Sequence, residues 1–180
     1  TNPGATQALN VYPAVNSYRP WKSISTTSGN ALTARAQGAA SFKSDTGVIS
    51  IFAGDATKLY KLTSNSFVDE SGGTTFSTPT DGHWDFLKYG EVVIAFNGDD
   101  APQAWTLDGS TDFAALGGSP PVFKHAAVVG NFVVTGYQPT AQTTVAWSSF
   151  NSPTSWTAGV NQSDVEVLPE GGVITGVTGG

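Results

Sequence analysis

Residues 83–116, HWDFLKYGEVVIAFNGDDAPQAWTLDGSTDFAAL, decide the fold. They hold four short runs rich in β-branched and aromatic residues: His83 to Lys88, Glu91 to Phe96, Gln103 to Leu107 and Phe113 to Leu116. Each run is too short for a helix and is bounded by Gly, Asp, Asn or Pro, so the stretch predicts strands joined by tight turns. Corners such as Asn97-Gly98 and Ala53-Gly54-Asp55 can supply the φ > 0 that tight turns need.

The same template recurs on both sides. Before it stand Ala36 to Lys43, Gly47 to Ala53, Lys58 to Leu62 and Phe67-Val68-Asp69; after it come Val122 to Val129, Phe132 to Tyr137, Thr143 to Ser148 and Trp156-Thr157. Anchors repeat with it: Gly47, Gly90 and Gly130 precede the second run, and Tyr60, Trp105 and Trp147 sit in the third. Phe67, Phe113 and Trp156 open the fourth, and Phe52-Ala53-Gly54-Asp55 matches Phe96-Asn97-Gly98-Asp99. A period of about 40–46 residues with four strands per unit is the size of a β-propeller blade. The repeat therefore predicts an all-β, propeller-like array of four-stranded antiparallel blades at about 36–70, 83–117 and 122–158. A fourth unit is expected to begin at 171–180, GGVITGVTGG, and an extended basic arm is expected at 1–35. A sandwich of hairpins without radial symmetry is the competing arrangement.

Composition agrees with a turn-rich β chain. Charged residues make up 12% of its 180, about half the usual share, while Gly and Pro are plentiful, which disfavours helical bundles and coiled coils. The absence of Cys excludes disulfides, thiolate metal sites and a cysteine nucleophile. No apolar run reaches the length of a membrane span, and the start lacks the layout of a signal peptide. The missing Met and the incomplete fourth unit lead to the expectation that these residues are the N-terminal portion of a longer protein, or that other chains complete a ring.

Charge is divided along the chain. Residues 1–44 carry Arg19, Lys22, Arg35 and Lys43 with no acid, +4 in all; the other four Lys against fourteen acids give −10, and the two make the net −6. So few cations do not make a sequence-reading nucleic-acid surface. The basic segment reads as an arm that docks on something acidic.

A resemblance now becomes visible. LNVYP with SYRPW (Leu9 to Pro13, Ser17 to Trp21), then ALTARAQGA, IFAGDATKLYKL, HWDFLKYGEVVIAFNG, VAWSSFNSPTSWT and LPEGGVITGVTGG follow one another in an order that resembles the tail hub or nozzle proteins of short-tailed bacteriophages. These are also described as packaged-DNA-stabilisation or head-completion proteins, with chains longer than this one. The resemblance implies a structural virion protein below the portal, in a homo-oligomeric ring touching portal or adaptor and tail subunits around a DNA channel. It implies DNA passing without sequence-specific binding, which an acidic wall favours by repulsion. Under it, Tyr12, Arg19 and Trp21 of the arm are the candidate subunit contacts.

Enzymatic readings fare less well. Ser149-x-Asn151-x-Pro153-x-x-Trp156, echoed by Thr106-x-Asp108-x-Ser110-x-x-Phe113, looks like a degraded Asp-box, a turn device of sialidase-type blades that carries no chemistry. A sialidase also needs three arginines, and the chain has Arg19 and Arg35 alone. Asp45-Thr46-Gly47 matches the aspartic-protease tripeptide, but the corresponding Tyr89-Gly90 and Val129-Gly130 are plain hairpin corners. Asp99-Asp100, Asp81 with Asp85, and Asp164 with Glu166 are carboxylate pairs whose ordinary place is solvated surface. His83 and His125 lack companion metal ligands. Asn161-Gln162-Ser163 is formally a glycosylation sequon. No phosphate loop, dinucleotide fingerprint, Ca²⁺ loop or nucleophile elbow is present, so neither cofactor nor metal is expected.

The five Trp residues raise a second class of function, a lectin-like or receptor-binding carbohydrate module. Trp105, Trp147 and Trp156 fall where blades pack together. Trp84 is then the candidate sugar-stacking residue.

Overall fold

A computed structural model describes residues 9, 11–21 and 29–179. Its described residues contain no helix, hence none long and apolar enough to cross a membrane, and they form four antiparallel sheets. Strands β1 (Val11–Ala14) and β2 (Ser17–Pro20) pair as an isolated hairpin. The first four-stranded sheet comprises β3 (Gly38–Lys43), β4 (Ile49–Gly54), β5 (Leu59–Thr63) and β6 (Ser66–Asp69). The second comprises β7 (Asp85–Tyr89), β8 (Val92–Phe96), β9 (Gln103–Thr106) and β10 (Ala114–Ala115). The third comprises β11 (His125–Val129), β12 (Phe132–Gln138), β13 (Ala141–Trp147) and β14 (Asp164–Val167). Within each of these sheets the strands lie in chain order, as meanders.

Strand β8 shows why its sequence reads as a continuous apolar run. Val93 and Ala95 point to one side and join Phe52, Leu59, Trp84, Trp105 and Phe113 in the core between the first and second sheets. Ile94 and Phe96 point to the other and join Phe123 and Val133 between the second and third. A strand buried on both faces has no polar side to alternate with. Phe52 is the centre of the first core, with ring centroids of Trp105 and Phe113 each at 5.3 Å.

The leading strands adjoin in order, β3 against β7 and β7 against β11. The approach is close enough to require glycine. A Cβ on Gly38 would lie 2.1 Å from the Trp84 carbonyl oxygen, while the Trp84 N–H donates to the Gln37 carbonyl at 2.9 Å. Gly54, expected to form a corner, instead lies within β4, and its missing Cβ makes room for the Trp84 indole, 2.4 Å from where that atom would stand. The two-residue corners Gly90-Glu91 and Gly130-Asn131 do place Gly at positive φ, 56° and 55°, at the first central position, as type II′ turns require.

Three expectations are corrected. Trp156-Thr157 is not the fourth strand of the third unit; β14 is, with Trp147 opposite Asp164 and Thr144 opposite Val167. Trp156 instead plugs the core from a loop, stacked 6.4 Å from Phe123 with its Nε1–H donating to the Pro153 carbonyl at 2.8 Å. Residues 171–179 form no strand. Ile174 and Val177 lie over Gly136, where a Cβ would meet them at 2.8 and 3.0 Å. Finally, residues 1–35 are not one extended arm: 11–20 form the hairpin, and the chain from Gly29 onward is fastened to the first sheet, while residues 1–8, 10 and 22–28 lie outside the described residues.

Candidate assembly surface

The hairpin turns at Val15-Asn16 between Ala14 and Ser17. Directly opposed residues of an antiparallel pair share a face, and successive residues alternate. Tyr12 opposes Arg19, and Trp21 lies two residues beyond Arg19, so the three candidate contact residues fall on one face. The Tyr12 and Trp21 rings meet edge to face at 6.0 Å. The opposite face carries Pro13 with Tyr18. Little of this is covered: Tyr18 is 63% exposed, Trp21 64% and Val15 99%. Isolated two-stranded hairpins are marginal in water, and large exposed apolar surface is the kind that interaction sites use, which makes this hairpin the candidate contact surface. Val15 and Tyr18 belong to this surface and were missed in the sequence, because Pro13 and Pro20 interrupt the run and mask a strand signal.

Within the segment that leads into β3, Thr33 and Ala34 are held by Asp55, a wholly buried carboxylate. Its Oδ1 accepts from the backbone N–H groups of Thr57 and Lys58 at 2.8 and 2.9 Å. Its Oδ2 accepts from the Thr33 hydroxyl at 2.9 Å, the Ala34 N–H at 3.1 Å and the Tyr60 hydroxyl at 2.7 Å. Burial pushes this carboxyl up, but the bonds from Thr57, Tyr60, Thr33 and Lys58 outweigh it and hold the group below its ordinary value. In the second sheet the matching part is Asn97 rather than Asp99, two residues from the expected match. Asn97 Oδ1 accepts from the N–H groups of Asp99 and Asp100 at 3.0 and 2.8 Å, and its Nδ2 donates to Thr78 Oγ1 at 2.9 Å. Asp100 in turn accepts from the Ser77 N–H at 2.9 Å. In both sheets, the corner after the second strand grips the segment that leads into the sheet.

The outer edges of the three sheets differ. On β6, Asn30 behaves like a strand neighbour: its Oδ1 accepts from the Phe67 N–H and its Nδ2 donates to the Phe67 carbonyl, both at 2.7 Å. Strand β10 is two residues long. Strand β14 is exposed throughout, with Val165 46% and Val167 55% accessible.

The remaining candidates are dispersed. Trp84 is 3% exposed, its Nε1–H bonded to the Asp55 carbonyl at 2.9 Å and its ring edge to face with Phe76 at 5.0 Å. It offers no face to a sugar, which corrects its assignment as a stacking platform. Asp45-Thr46-Gly47 forms the β3–β4 corner, and the Thr46 hydroxyl donates to Asp108 at 2.5 Å, joining the first sheet to the β9–β10 turn. That bond, with one from Ser44, lowers the Asp108 carboxyl. The two box-like turns share a design: Asp108 and Asn151 both have positive φ, 58° and 55°, while the Thr106 and Ser149 carbonyls accept from the N–H three residues on. His83 contacts Asp85 at 3.1 Å. His125 lies in β11 against Tyr137, and burial and Lys124 hold its imidazole below its ordinary value. Asp164 and Glu166 share one exposed face of β14. No group of three or more His, Asp or Glu residues placed to hold a metal occurs among the described residues.

Comparison with known proteins found no family model that matches the chain and no matching relative among curated proteins.

Proposed function

We propose that the three four-stranded meanders are blades of a propeller-like array, and that the chain is a non-enzymatic structural protein of a bacteriophage tail or head-to-tail junction. In this reading it sits in the virion as part of an oligomeric hub or nozzle, and its acidic body lets DNA slide past. The observation that carries the reading is the hairpin whose Tyr12, Arg19 and Trp21 share one face and stay uncovered on the chain by itself. Further support comes from β3, β7 and β11, which adjoin in sequence order as the inner strands of successive blades do. The polar groups singled out in the sequence are engaged in holding corners and leading segments together, as with Asp55, Asn97 and Asp108. The carbohydrate-binding alternative loses its stacking residue with the burial of Trp84. The test is quantitative mass spectrometry of purified virions of the phage that encodes the chain. A copy number matching a ring is expected, and absence from the particle would contradict the reading.

A further inference from the structure

Two strand edges in this chain are open and complementary. On β14, the Leu168 N–H donates back to Thr143 of the preceding strand at 3.0 Å, whereas the Val165 N–H meets only the carboxylate of its neighbour Asp164, at 2.9 Å. Antiparallel strands alternate the direction of successive N–H groups, so Val165 and Val167 present theirs outward. The other sheets close this edge with the Asn30 amide or by brevity, as described above. An exposed edge with apolar side chains is a template for pairing.

On the hairpin, a two-residue turn makes Ala14 and Ser17 a hydrogen-bonded pair, which makes Tyr12 and Arg19 another. Tyr18 and Pro20 on β2 therefore face outward, offering two carbonyls and one N–H. Charge fits as well: from His125 onward the chain has no Lys or Arg and carries Asp164, Glu166 and Glu170, while residues 1–44 have no acid.

We propose that β2 of one copy adds antiparallel to β14 of a second copy, with Tyr18 opposite Val167 and Arg19 opposite Glu166. Tyr18 and Val167 then exchange both backbone hydrogen bonds, and the Val165 N–H leaves Asp164 for the Pro20 carbonyl. Pro20 falls where its missing N–H forgoes a single bond. Arg19 and Glu166 share one face, and Trp21 comes opposite Asp164. This names the surface that receives the hairpin, and it rests on the reading that the chain assembles through that hairpin.

The absence of Cys makes the register testable by disulfide formation. Arg19→Cys protein and Glu166→Cys protein are mixed and oxidised. Positions 19 and 166 would be a non-hydrogen-bonded pair about 4.5 Å apart at Cα, within disulfide range. The expected product is a mixed dimer linked between them, in excess over either self-linked dimer and over the Arg19→Cys with Val165→Cys mixture. No mixed dimer, or equal yield in both mixtures, would overturn the pairing. Val165→Pro provides a second reading, because its N–H makes no bond to β13 and the edge tolerates proline. Self-association measured by analytical ultracentrifugation should weaken about tenfold with the melting curve unchanged, and unchanged association would overturn the pairing. If rings and virion incorporation persist while the 19–166 link never forms, the pairing falls and the virion reading stands. If the link forms but the chain is absent from virions, the reverse holds.

Discussion

The carboxylate of Asp55 and the hydroxyl of Thr33, 2.9 Å apart, fasten a segment outside the sheets to the first of them. The same carboxylate also caps its own corner through Thr57 and Lys58. One buried side chain thus sets both the end of β4 and the path by which the chain approaches β3.

Replacing Asp55 with Ala leaves the Tyr60 and Thr33 hydroxyls and the backbone N–H groups of Thr57, Lys58 and Ala34 without their acceptor. A loss of about 3 kcal/mol is expected, read as a lower urea midpoint with an unchanged slope. Asp99→Ala, in a turn whose matching cap is Asn97, should cost less than about 0.5 kcal/mol.

Acid should loosen the same junction. Burial alone would raise the Asp55 carboxyl, but its hydrogen bonds lower it below the ordinary value of 3.8. The group therefore binds a proton more readily in the unfolded chain. Its stabilising contribution is complete above the unfolded value and is lost as pH falls through the lower folded one. Urea midpoints followed from about pH 6 to about pH 2 should converge for the native chain and Asp55→Asn at the acid end; a constant gap would contradict the assignment.

Gly38 tests the close approach of β3 and β7. Gly38→Ala places a methyl against the Trp84 backbone and should cost about 3 kcal/mol. Gly90→Ala, with open space around it and φ at 56°, should cost about 1 kcal/mol from backbone strain alone. Equal losses in thermal melts would mean that the strands do not approach as described.

Tryptophan emission separates surface from core. Trp84 and Trp105 are buried, whereas Trp21 is 64% exposed. Trp21→Phe should remove the largest share of the emission that iodide quenches. Trp84→Ala should cost about 3–5 kcal/mol. Strong quenching of the Trp84 contribution would contradict its burial against Phe76.

Much of this architecture was legible because burial leaves a pattern. The runs around Phe52, Val93 and Val133 were placed nearly to their ends by apolar clustering between Gly and Asp punctuation. Strand β14 escaped because no side chain in it is buried, so Trp156, a loop plug with a strong aromatic signal, took its place in the reading. The Asn97 cap was displaced by two residues because Asp99 in Asn-Gly-Asp looks like Asp55 in Ala-Gly-Asp, and the geometry of the corner alone distinguishes them. The shared face of Tyr12, Arg19 and Trp21 follows from a hairpin that Pro13 and Pro20 disguise.

Under the proposed virion role, the most direct measurement deletes residues 1–21 of the chain in a phage that carries its gene, leaving Gly29 and Asn30 to cover β6. Virions are then purified and assayed for the truncated protein, with its melting curve taken separately. A folded chain that no longer enters virions is the expected result. Incorporation at the level of the intact chain would contradict assembly through the hairpin.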